Sequence, residues 1–146
     1  MSDKKLNTTR KEFQDSYTEH YKLYKNTDSN LSPKTRRLIL FYAVECGLKS
    51  LLLKQIGCDT YNDLVVYCST NPDKKVAGHD IKALIKEVNP RNEYVLKDIH
   101  LHDGNRTVRP RQFNELWRYG PAVANPEEEE NAEKVLGKIA EWIKNR

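Results

Sequence analysis

Apolar and aromatic residues recur along most of this chain at intervals of three and four, the spacing of one face of a helix. In RKEFQDSYTEHYKLYKN, Phe13, Tyr17, Tyr21 and Tyr24 fall on a single stripe, which predicts a helix starting at Thr8 or Thr9. An aromatic stripe of this kind either seats a helix on a core or offers a surface for stacked bases; the core is the expected role. TDSNLSP then supplies Ser32 as an N-cap and Pro33 for the first helical position, so a second helix is expected from Pro33 to about Ile56, stopped by Gly57.

That second helix has an unusual pattern. Leu38, Phe41, Tyr42, Leu52, Leu53 and Ile56 lie on one arc, and Leu40, Val44, Leu48 and Leu51 cover the opposite side. A helix apolar nearly all round packs among several neighbours. Glu45 and Lys49 nevertheless sit in the middle of the apolar arc, one turn apart and in the favourable order for an ion pair. Taking both charges from water costs several kcal/mol per ion. The pair therefore either neutralises itself at a helix or subunit interface, or faces a polar groove.

Further on, Tyr61, Leu64, Val65 and Cys68 predict a short helix, with Thr60 and Asp63 resembling a capping box. GHDIKALIKEVNP reads as a helix with Ile81, Leu84, Ile85 and Val88 buried and Pro90 as terminator, and a further helical piece is expected around Asn92 to Ile99. At IHLHDGNRTV the period changes, and Asp103-Gly104 marks a hairpin or an ordered loop over residues 99–108. A helical turn follows over Gln112 to Trp117, ended by Gly120-Pro121. In the last segment Asn125 caps, Pro126 opens, and Glu127 to Glu130 favour the positive end of the helix dipole. The expectation is an all-α antiparallel bundle of four long helices and one or two short ones, with a small β-hairpin. Residues 1–7 read as a flexible N-terminus and 8–146 as one domain.

Composition narrows the setting. The longest apolar stretch carries Glu45, Lys49 and Lys54, which a spanning helix would hardly tolerate, so no membrane role is expected. No signal peptide is apparent, and three unpaired cysteines, Cys46, Cys58 and Cys68, suit a reducing cytoplasm. The net charge of +4 is uneven: residues 119–146 are acidic on balance, so the rest is markedly basic, compatible with a nucleic-acid face without requiring one.

Candidate chemistry is sparse. No glycine-rich phosphate loop, nucleophile elbow, HExxH or paired-carboxylate motif is present, and no cofactor is expected. His79 and Asp80 open a helix, where a cap is the plainer reading. His100 and His102 have only Asp103 nearby as a third metal ligand, so no metal site is assigned. Arg106, Arg109, Arg111 and Arg118 cluster, and Trp117 and Tyr119 interleave them with aromatic surfaces. Guanidiniums so grouped suit phosphate, and the rings either stack bases or fill the end of the bundle.

Taken in order, FYAVECGLKSLLLK, GHDIKALI, ELWRYG and the glutamate-rich final helix resemble the HEPN superfamily (higher eukaryotes and prokaryotes nucleotide-binding domains) over residues 8–146. The resemblance implies a helical bundle, often a homodimer through its central helices, or a hetero-complex with a defence or antitoxin partner. It also implies work in anti-phage defence or toxin–antitoxin systems, contacting RNA or nucleotide. Active members are metal-independent endoribonucleases with an arginine followed by a histidine after four to six residues. That signature is not matched here. The expectation is a non-catalytic binding subunit, with Glu45, Lys49 and Asp80 at a groove or interface. The alternative is an endoribonuclease with a rearranged site, drawing on His79, His100 or His102 with Arg109.

Overall fold

The computed structural model describes residues 6–28 and 30–146. The described residues form six α-helices and one two-stranded hairpin. Helix α1 (Arg10–Lys25) opens on a reciprocal cap: Thr9 Oγ1 accepts the Glu12 N–H, and Glu12 Oε1 accepts the Thr9 N–H. Helix α2 (Pro33–Gln55) is capped by Ser32, whose hydroxyl accepts the Thr35 N–H, and ends before Gly57, which takes a positive φ of 71°. Most of the expected flexible segment 1–7 lies outside the described residues. Asn7, within them, is tied down by the Asn62 N–H.

Helix α2 is the centre of the molecule, touching α1, α4 (Ile81–Val88), α5 (Phe113–Tyr119) and α6 (Pro126–Lys144). Pairing at both ends fixes α1 antiparallel to α2: Arg36 donates to Tyr24 O, and the Arg10 N–H donates to Asp59 O. The α1 tyrosines run down α6 in the opposite sense, Tyr24 donating to Glu133, Tyr21 to Glu141 and Tyr17 to Ala140 O. The aromatic stripe therefore seats α1 on the bundle. Its rings stack on one another, Tyr17 on Tyr21 at 5.8 Å and Tyr21 on Tyr24 at 6.3 Å between centroids.

Gly47 marks the closest approach of three helices. A Cβ there would stand 3.0 Å from Ile143 and from Tyr17, so only a residue without a side chain lets α1 and α6 close over α2 at this point.

The shorter elements follow local chemistry. Helix α3 (Tyr61–Thr70) begins where the Asp63 carboxylate accepts the N–H groups of Asp59 and Thr60. Helix α4 has eight residues, bounded by Asp80, whose side chain accepts the Ala83 N–H, and by Asn89. The helix expected around Asn92 to Ile99 does not form. Asn92 turns the chain by accepting the Tyr94 N–H, and the following residues are extended, with Leu96 buried between exposed Val95 and Lys97.

The hairpin does form, as β1 (Ile99–His100) and β2 (Thr107–Val108), in antiparallel register Ile99 to Val108. It has a third extended neighbour: Leu101 bridges Val123, and the Ala124 N–H donates to His100 O. This contact supplies the packing that a lone hairpin lacks. Among the described residues, no helix is long and apolar enough to cross a membrane.

Candidate functional site

The Glu45–Lys49 pair lies inside the chain. Glu45 is 6% and Lys49 4% exposed, with 3.3 Å between Nζ and Oε2. The Lys49 ammonium is 5.9 Å from the Phe13 ring centroid and 6.0 Å from that of Tyr61, so apolar rings close it off. The second Glu45 oxygen meets His79 Nδ1 at 2.6 Å. A carboxylate only accepts, so His79 donates. Glu45 thus joins α2 to the residue just ahead of the Asp80 cap of α4. Asp80 faces elsewhere, capping α4 at the edge of another cleft.

The histidines are dispersed. His20 bonds Ser16 on its own helix, His79 meets Glu45, and His100 meets Glu128, while His102 stands exposed on the hairpin with its N–H on Ala122 O. The N–H of His100 holds the Glu128 carboxyl below the usual carboxylate range. Among the described residues, no three His, Cys, Asp or Glu side chains gather as metal ligands.

The arginine cluster is divided. Arg106 is held by Asp103 at 2.6 Å. Arg118 lies over the ring of Tyr119, which is 72% exposed. Arg109 and Arg111 line a separate cleft with Lys82 and Lys86, in company with Asp80 and Asp98. Trp117 is not on this surface. It is 3% exposed, packed against Phe113 and Phe41, and its indole N–H donates to Glu129 at 2.8 Å. Glu129 also receives Arg37 at 2.9 Å. Trp117 fills the end of the bundle, because the only partner for its N–H lies inside.

One strongly charged concavity was not legible from the sequence. A cleft of about 520 Å³ runs along α1, across α2 and past the end of α6. Among the described residues six cations line it, Arg10, Lys22, Lys25, Lys54, Lys144 and Arg146, and no acidic residue does. Lys25 shares Glu141 at 3.4 Å; the other five have no ion-pair partner among the described residues. Gly47 and Ser50 form part of the floor. Ser50 is only 8% exposed. These cations come from three helices distant in sequence, and each looks alone like an ordinary solvated residue.

Cys46, beside Glu45 on α2, has its thiol pushed up by burial, with partial relief from a hydrogen bond to Ser16. All three cysteines are free, and Cys46 is a packed, inert one.

The fold and its clefts define a small helical protein with a hydrophobic core, a buried ion pair and, among the described residues, a cationic trench. No protein-family model, curated protein or solved structure matches the chain.

Proposed function

We propose that this protein is a HEPN-like, non-catalytic binding subunit that contacts RNA or nucleotide through phosphate. The observation that carries the reading is the cationic cleft between α1, α2 and the end of α6, where, among the described residues, six bases and no acid line one concavity. Phosphate oxygens answer that lining, since they accept from ammonium and guanidinium groups alike. The family assignment draws support from Glu45 and His79, which bring the phrases FYAVECGLKSLLLK and GHDIKALI into direct contact. A place in a prokaryotic defence or toxin–antitoxin system, as a homodimer or with a defence or antitoxin partner, belongs to the same proposal.

Binding is preferred to cleavage because no histidine lines this cleft or the Arg109 cleft. General acid–base attack by an RNA 2′-hydroxyl needs an imidazole within hydrogen-bond reach of the reacting atoms.

The test is fluorescence anisotropy of a labelled oligonucleotide against salt, for the wild type and a Lys54→Glu/Lys144→Glu variant. Binding should weaken with a log–log slope of roughly −0.7 per phosphate neutralised. The variant should lose at least about tenfold in affinity, or about 1.4 kcal/mol. Equal affinity of wild type and variant for RNA, nucleotide and pyrophosphate would remove the cleft from the proposal.

A further inference from the structure

The cationic cleft continues beyond α6. Two of its lining residues, Leu51 and Arg146, also line a neighbouring cleft of about 390 Å³ whose other walls include Gln55, Asn89, Arg91 and Trp142. We infer that the two clefts form one track for a single strand of nucleic acid. Phosphates lie along the first cleft, and a base stacks against the Trp142–Arg146 pair in the second. This rests on the phosphate-binding reading above and specifies its ligand.

Length is the first argument. The first cleft is lined from Arg10 to Lys25, the whole of α1, and at about 1.5 Å per residue that is roughly 22 Å of helix. A row of cations spread over that distance, and extended by Arg91, exceeds what one nucleotide reaches. It falls within the range of strand-tracking grooves, which cover about 4–16 nucleotides.

Charge continuity is the second. Among the described residues no lining residue of either cleft is acidic, and the Glu141 carboxylate beside the first is engaged by Lys25 and Tyr21.

The third is where the rings stand. Tyr17 and Tyr21 are buried against each other, with their hydroxyls committed to α6. The first cleft therefore offers charge and the Ser50 hydroxyl but no free aromatic face. Trp142 is only partly buried and has the Arg146 guanidinium 4.5 Å from its ring centroid. Indole and guanidinium are the planar groups on which unpaired bases stack. A duplex has its bases paired and stacked, so it offers none of them to the Trp142 ring.

The experiment compares labelled oligouridines of four and twelve nucleotides, a duplex RNA, ATP and pyrophosphate, read by anisotropy and by tryptophan emission. Because Trp117 is closed in the core, quenching on binding reports Trp142. The longer strand should bind at least about tenfold more tightly than the shorter one and quench the emission, and the duplex and ATP should compete weakly. Arg91→Glu and Trp142→Leu should reduce the long strand to the level of the short one. Trp142→Phe, which keeps a ring and guards against loss of fold, should retain most of the gain. Equal affinity for both lengths, or displacement of the long strand by ATP at matching concentration, overturns the single-strand track and leaves the phosphate reading standing. Loss of that reading is distinguished by indifference of every ligand to Lys54→Glu/Lys144→Glu.

Discussion

His79 Nδ1 stands 2.6 Å from Glu45 Oε1, and the other Glu45 oxygen holds Lys49 at 3.3 Å, so one carboxylate in the middle of α2 serves two partners. The ring is half-exposed while both α2 residues are closed in. The contact therefore acts as a lid that covers the buried pair and fixes where α4 begins.

Removing the carboxylate should do more harm than removing the whole pair. Glu45→Ala leaves Lys49 buried without a counter-charge, and urea denaturation should show a loss of about 3–5 kcal/mol. Glu45→Ala/Lys49→Met should recover most of it, because methionine fills the site without a charge. A double variant as unstable as the single one would show that packing at position 45, and not charge, sets the cost.

Two helical glycines should respond in opposite directions. Gly47→Val drives a branched side chain into Ile143 and Tyr17, already 3.0 Å from a first Cβ, and should cost roughly 1–3 kcal/mol by overpacking. Gly137, in α6, has nothing within 4 Å of an added Cβ, so Gly137→Ala should stabilise by about 0.5–1 kcal/mol through helix propensity. Thermal denaturation of both variants is the measurement.

Stability should decline at both pH extremes for identifiable reasons. Tyr17 and Tyr24 are pushed up to about 12, each first by burial and then by a neighbouring glutamate. The unfolded chain loses these protons near pH 10 while the folded one keeps them, so stability present below pH 10 is lost as pH rises toward 12. Glu141 and Glu128 are held low, Glu141 by the Tyr21 hydroxyl and Glu128 by the His100 N–H. Their contribution is present above the ordinary carboxylate value of 4.5 and lost as pH falls below it. Urea midpoints across pH, with tyrosinate absorbance followed at the alkaline end, check both limbs.

The arginine cluster should matter less than the trench. Arg109→Ala/Arg111→Ala alters a cleft that also contains Asp80 and Asp98, so it should leave most RNA affinity and its salt slope in place. Lys54→Glu/Lys144→Glu should flatten the slope by roughly 0.7 for each phosphate no longer neutralised. The reverse ranking in anisotropy would return the arginine cluster to first place.

Much of the fold was legible because helix signals are local. The caps at Thr9, Ser32 and Asn125, the stops at Gly57 and Gly120, and the Asp103-Gly104 turn all act within a few residues of themselves. The stretch after Asn92 misled because its apolar residues fit either period. The side-chain turn at Asn92 and the demand that Leu96 point inward settled it as extended. For Trp117 the sequence left base stacking and bundle filling both open. Neighbouring arginines look like a surface, but the indole's partner, Glu129, comes from α6.

By itself the sequence determined where helices start and stop, that α2 is central, and that Glu45 and Lys49 pair one turn apart, since each depends on neighbours three or four residues away. Only the tertiary structure decided that His79 closes that pair from 34 residues on, that Trp117 is interior, and that bases from α1, α2 and α6 line one trench. Charges distant along the chain become a common field only when packing brings their helices together, and nothing in the local pattern records that meeting.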